Sequence, residues 1–112
     1  MDLSNWQTQL RKGLLELYIL NLLSQGESHG YEMVRTLKRS DSLKIREGNI
    51  YPILARLQTD GLVHVRKQAS QSGPPRKYYM LSDLGHERVA NMNKHWDDIT
   101  SHIKQIRKGS VK

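Results

Sequence analysis

Trp6, Leu10, Leu14 and Leu17 recur at three- and four-residue spacing, and Leu15, Tyr18 and Leu22 mark a second apolar stripe beside them. The later part of this segment is apolar nearly all round, which predicts a helix buried at the centre of the fold. Gly26 is its expected stop. Ser28 is placed to cap a second helix with Tyr31, Val34 and Leu37 facing inward and an end near Ser40. Lys44 to Arg46 is short enough to form only a small extended piece. A third helix is predicted from Glu47 or Gly48 to Asp60, with Ile50, Leu54 and Leu57 buried and Gly61 ending it. Pro52 falls near its first turn, where a missing N–H does least harm.

The period then changes. Leu62, Val63 and Val65, and later Lys77 to Leu81, read as two strands joined by the polar, turn-rich stretch Gln68 to Arg76. Ser82 is placed to cap a last helix, with Asp83 in its first turn. Along it Val89, Met92, Trp96, Ile99, Ile103 and Ile106 alternate spacings of three and four, as in a coiled-coil seam. The expected fold is mainly α with a small β-hairpin. Residues 1–82 form a winged helix-turn-helix, and residues 83–112 form a C-terminal dimerisation helix in one compact unit with the first helix.

Charge sharpens this outline. The 112 residues carry 18 Lys and Arg against 11 Asp and Glu, a formal net charge of +7. Between Arg35 and Lys77 lie ten basic residues and three acids, so the middle of the chain holds the whole surplus and the remainder sums to zero. A surplus confined in this way is an electrostatic footprint for a polyanion. The absence of cysteine excludes disulfides, thiolate metal sites, thiol catalysis and a cysteine redox switch. Arg11 and Lys12 before Leu14 to Leu23 superficially resemble a signal peptide. That run is short, contains Glu16 and Asn21, and cannot span a bilayer. A cytoplasmic protein without membrane attachment is therefore expected. The five histidines include no His-x3-His pair on one helix. His95 and His102, seven apart, stand about 10 Å from each other along a helix, too far to share an ion within one chain. No phosphate loop, paired carboxylates or nucleophile with a base suggests an enzyme, and no metal or cofactor is expected.

Three helices followed by a hairpin with basic residues point to double-stranded DNA, with the third helix as the reading element. Outside its apolar stripe stand Asn49, Tyr51, Pro52, Ala55, Arg56 and Thr59. Arg can fork onto guanine, Asn onto adenine, and Ala or Thr can touch a thymine methyl. Arg66, Lys67, Arg76 and Lys77 at the wing suit backbone phosphates, and Lys38 and Arg46 add to the same footprint. A helix face of Asn, Ala, Arg and Thr is also simply what a solvated face looks like. It is the coincidence of helix order, hairpin and localised charge that favours DNA. The alternative is a winged-helix module whose basic face docks an acidic protein or RNA.

The segment Glu47-Gly48-Asn49-Ile50-Tyr51-Pro52-Ile53-Leu54-Ala55-Arg56-Leu57, continuing to Gly61-Leu62-Val63, resembles the signature of the PadR family of bacterial transcriptional regulators. Gly73, Arg76-Lys77-Tyr78-Tyr79, Leu81-Ser82-Asp83-Leu84-Gly85 and His29-Gly30-Tyr31-Glu32 extend the likeness over about residues 10 to 108. Asn49 stands where the family commonly has Thr. The single short C-terminal helix resembles the smaller subgroup. The resemblance implies a homodimeric repressor of detoxification, resistance or transport genes, acting on a palindromic operator with Tyr51 in the major groove and the wing on flanking backbone.

The seam runs well past the hairpin, further than a domain this small can cover, so a partner helix is the expected cover. Trp6, Leu10 and Leu14 on the first helix would complete an interface with Val89, Met92, Trp96, Ile99, Ile103 and Ile106. A tryptophan in mid-seam is most simply interface core. The resemblance also implies a flat aromatic effector stacked on Trp96 at the dimer centre, with Leu14, Asn21, Met92, Asp98 and Ile99 as its lining.

Overall fold

In a computed structural model, which describes residues 1–110, the chain forms α1 (Ser4–Ser24), β1 (Ser28–His29), α2 (Gly30–Leu37), α3 (Glu47–Thr59), β2 (Val63–Gln68), β3 (Arg76–Leu81) and α4 (Asp83–Arg107). Leu15, Leu17, Ile19, Leu20 and Leu23 bury α1 as its apolar second half predicts. Each such side chain contributes roughly 1.5–3 kcal/mol relative to exposure. α2, α3, β3 and α4 all pack on α1.

The core adds Met33, Val34 and Leu37 from α2, Ile50, Leu54 and Leu57 from α3, and Val63, Tyr79 and Leu81 from the strands. The β2–β3 ladder pairs Val63 with Leu81 and Val65 with Tyr79, so these four side chains share the inward face. The last two residues of the expected 83–112 unit, 111 and 112, lie outside the described residues.

Several local expectations are corrected. Ser28 does not cap α2. It lies in β1, a two-residue strand that pairs Ser28 with Tyr79 and His29 with Tyr78, making a three-stranded antiparallel sheet in the order β1-β3-β2 instead of a bare hairpin. His29 is the cap, its Nδ1 accepting from the Glu32 N–H at 3.2 Å. Tyr31 is exposed, and Met33 takes the inward place. Steps of three turn only 300° each, so Tyr31 falls off the stripe that Met33, Val34 and Leu37 define. α2 also stops at Leu37, short of Ser40. Pro52 is the sixth residue of α3, past its first turn. The carbonyl it cannot serve belongs to exposed Gly48, where water can take the bond.

The connection that sets α3 in place is held from α1. Gln7 donates to the Ser42 carbonyl at 3.0 Å, and Arg11 donates to the carbonyls of Leu43 and Lys44 at 3.0 and 3.3 Å. At the other end of α3, Gly61 takes φ +78, the left-handed conformation that lets the chain leave the helix for β2. Ser82 then fastens α4. Its N–H donates to the Leu62 carbonyl at 3.0 Å, and its hydroxyl donates to the Gly61 carbonyl at 2.6 Å while accepting from the Gly85 N–H at 3.0 Å.

Gly85 sits so close to this turn that a Cβ would lie 2.1 Å from the Leu62 oxygen, whereas a Cβ on Gly13 would meet nothing within 4 Å. Gly85→Ala is therefore expected to lower stability in urea unfolding by about 2–3 kcal/mol, because backbone must move. Gly13→Ala is expected to raise it by roughly 0.5–1 kcal/mol through helix propensity alone. Equal effects at the two sites would refute this account of the α4 anchor.

Candidate functional site

Two candidate sites emerge: a basic face formed by α2, α3 and the wing, and a cleft between α1 and α4. On α3, burial of Ile50, Leu54 and Leu57 turns Gly48, Pro52, Ala55 and Thr59 outward at spacings of four, three and four, and all four are exposed. This outer ridge is small and carries no charge. Tyr51 lies on one flank. Its ring leans over the start of α2, so that a Cβ on Gly30 would stand 3.0 Å from the Tyr51 hydroxyl.

Arg56 lies on the other flank, turned towards α1. It donates to Glu16 at 2.5 Å, and Arg88 of α4 donates to the second Glu16 oxygen at 3.0 Å. Arg56, expected as a guanine reader, thus has its charge matched by a carboxylate of α1 in the DNA-free chain. Asn49 is also engaged. Its Oδ1 accepts from the Arg46 N–H at 3.1 Å, closing the start of α3.

The wing separates its cations in the same way. Arg66 is ion-paired with Glu27, donates to Gln68 at 3.0 Å, and stacks 4.7 Å over the Tyr78 ring, whose edge also meets His29 at 5.6 Å. The hydrogen bond that Arg66 donates to Glu27 raises the Arg66 pKa further. Arg66 is therefore a brace at the base of the wing. Lys67, Arg76 and Lys77 are exposed and form no ion pair among the described residues, as do Lys38 and Arg46.

Between the wing, α2 and α3 lies an open cavity of about 300 Å³, lined by His29, Gly30, Tyr31, Tyr51, Arg76, Lys77 and Tyr79. Burial, then the neighbouring Tyr51, pushes the Tyr79 phenol up, so it stays neutral. His29 and Tyr31 carry no sequence signal for this place. They reach it because β1 pairs with β3.

The second site flanks Trp96. One cavity of about 370 Å³ is lined by Leu14, Leu17, Tyr18, Asn21, Asn93 and Trp96, and another of about 230 Å³ by Gly13, Leu14, Leu17, Met92, His95, Trp96 and Ile99. Of the expected lining, Leu14 and Trp96 border both cavities, Asn21 only the first, and Met92 and Ile99 only the second, while Asp98, on the exposed face of α4, lines neither. Tyr18, Asn93 and His95 escape sequence reasoning because they depend on how α1 meets α4. Asn21 and Asn93 exchange amide hydrogen bonds at 2.9 and 2.8 Å, which satisfies both polar groups at the cleft wall.

Of the expected interface set, Val89 must be set apart. It is only 5% exposed and belongs to the core of its own chain. Leu10, Leu14 and Met92 are half-buried against that core. Trp6, Trp96, Ile99, Ile103 and Ile106 stay uncovered. No helix among the described residues is long and apolar enough to cross a membrane.

The model of the transcriptional regulator PadR-like family matches residues 19–91, more than half of the chain. The fold is similar to that of a PadR-like transcriptional regulator from Bacillus cereus, with 36% identity and a TM-score of 0.78 over 88% of this chain and 95% of that one. It is also similar to Bacillus subtilis PadR in complex with operator DNA, with 27% identity and a TM-score of 0.64 over 70% of this chain and 45% of that one. The Escherichia coli transcriptional regulator YqjI is 30% identical over 94 residues, which are 82% of this chain and 44% of that protein.

Arg56 is half exposed and Glu16 mostly covered, so their pair is worth no more than a partly solvated bridge. A double-mutant cycle between Glu16→Gln and Arg56→Gln is expected to show a coupling of roughly 0.5–1 kcal/mol in urea unfolding. Strict additivity would mean that the bridge carries no stability.

Proposed function

This chain belongs to the PadR-like family of transcriptional regulators, and from that premise we propose that it is a homodimeric repressor that grips a palindromic DNA operator. The observation that carries the reading is the division of its charge. Among the described residues Arg35 of α2 and Lys67, Arg76 and Lys77 of the wing form no ion pair, while Glu16 of α1 pairs both Arg56 and Arg88. The B. subtilis relative supports the duplex as the polyanion.

In this reading α3 lies in the major groove with its uncharged ridge against the base edges. Ala55, Thr59 and Pro52 suit thymine methyls and groove shape better than hydrogen-bonded base readout. Lys67, Arg76 and Lys77 hold the backbone.

Dimerisation is supported by the apolar residues left bare. Trp96, Ile99, Ile103 and Ile106 are 36%, 51%, 50% and 53% exposed on one helix, and Trp6 is uncovered on α1. A two-fold pairing along this seam would set two α3 helices about 34 Å apart, one per successive major groove. The cleft beside Trp96 supports a flat aromatic effector. An indole flanked by Leu14 and Leu17, with an amide pair at one end, offers stacking and a polar handle. Its occupation at the seam would respace the two reading helices and release the operator.

Two experiments follow. Electrophoretic shift with the chain's own upstream region is expected to show affinity falling about a thousandfold or more between 50 and 200 mM salt, given several phosphate contacts per half-site. No shift at low salt with upstream or random duplex would overturn the DNA reading and favour an acidic protein or RNA as partner. In a Trp6→Tyr background, planar aromatic dyes are expected to quench Trp96 fluorescence and weaken the shift. Quenching by none of them would leave Trp96 as interface core only.

A further inference from the structure

The cavity of about 300 Å³ between the wing, α2 and α3 differs from the rest of the basic face in what lines it. Two of the ten central cations, Arg56 and Arg66, are cancelled by Glu16 and Glu27, and Lys44 is bonded to Asp41 at 2.8 Å. Arg76 and Lys77 at this cavity have no such partner among the described residues, and no carboxylate lines it. The hydroxyls of Tyr31 and Tyr51 also form no hydrogen bond among the described residues. Phenol hydroxyls and cations from three separate elements thus converge on one open space with donors to offer and nothing to accept them.

Their convergence is built into the fold. Pairing of His29 with Tyr78 carries Lys77 to the start of α2, and Gly30 leaves room for the Tyr51 ring to lean in, where a Cβ would stand 3.0 Å from its hydroxyl. His29 already caps α2, so the side chains, and not the helix end, make the site.

We propose that this cavity is a clamp for one backbone phosphodiester of the bound duplex, held at once by Arg76 and Lys77 from the wing, Tyr51 from α3 and Tyr31 from α2. The proposal rests on the DNA reading and refines it. A charged oxygen ligand satisfies every idle donor here, and charge-assisted hydrogen bonds to phosphate are stronger than neutral ones. Tyr51 then becomes a positioning residue that touches backbone instead of bases. Because the wing and α3 grip the same phosphate, the register of α3 in the groove is fixed by a group common to every sequence.

The test uses the full chain and a duplex selected on it from a random pool, with single phosphates replaced in turn by neutral methylphosphonate. In the wild type, one position per half-site is expected to cost about tenfold in affinity, as loss of a charge-assisted contact does. In Tyr51→Phe and in Lys77→Gln, both exposed sites whose folding thermal melting verifies, the cost at that same position is expected to fall below about twofold. The ratio of selected to random duplex affinity is expected to stay constant in both variants. A duplex that binds well but shows no position coupled to these variants overturns the clamp and spares the DNA reading. A chain that binds no duplex at all overturns both. Inorganic phosphate replacing chloride at equal ionic strength is expected to compete no better than chloride. Selective competition against the wild type, lost in Lys77→Gln, would make free phosphate the occupant and overturn the diester assignment.

Discussion

Everything in this fold is set by the need to bury the second half of α1. Leu15, Leu17, Ile19, Leu20 and Leu23 point in different directions around the helix, so no single neighbour can cover them. α2, α3, β3 and α4 each take a share. The same helix places the functional parts through its polar residues. Gln7 and Arg11 hold the turn before α3, Glu16 holds Arg56 and Arg88, and Asn21 holds Asn93. A shift of α1 along its axis would therefore be felt by the reading helix and by the long helix at once.

That arrangement bears on how a signal at the seam would reach DNA in the proposed repressor. Leu14, Leu17 and Asn21 line the cleft beside Trp96, and Glu16, which meets α3, lies within the same two turns of α1. A rigid helix between the cleft and the reading element gives a short physical path, with the Glu16 bridges at its end. The bridges are partly solvated and weak, which suits an element that must move.

The basic face also gains meaning from what is cancelled within it. Of the ten cations in the middle of the chain, Arg56, Arg66 and Lys44 are paired with carboxylates and are not free for a partner. Among the described residues Arg76 and Lys77 form no ion pair and stand beside Tyr31 and Tyr51. Arg66 still matters there, since its pair with Glu27 and its stacking on Tyr78 stiffen the strands that carry Arg76 and Lys77.

Much of this was legible in residue order alone. The periods of α1, α3 and α4, the two long strands, the Ser82 cap and the confinement of charge all follow from local spacing and chain chemistry, which act over a few residues. The outcome differed wherever a partner lay far along the chain. β1 has only two residues and exists because Tyr78 and Tyr79 lie beside it. Tyr31 turned outward because the core selected Met33. By residue type Arg56 and Arg66 read as free cations, yet their carboxylates stand 40 and 39 residues away, and only packing brings them within bonding distance. Val89 continues the seam by spacing, but the point where α4 leaves the body of the fold decides that it belongs to the core. The sequence determined the elements and the sign of the charge; the tertiary structure decided which charges remain free, because cancellation requires contact.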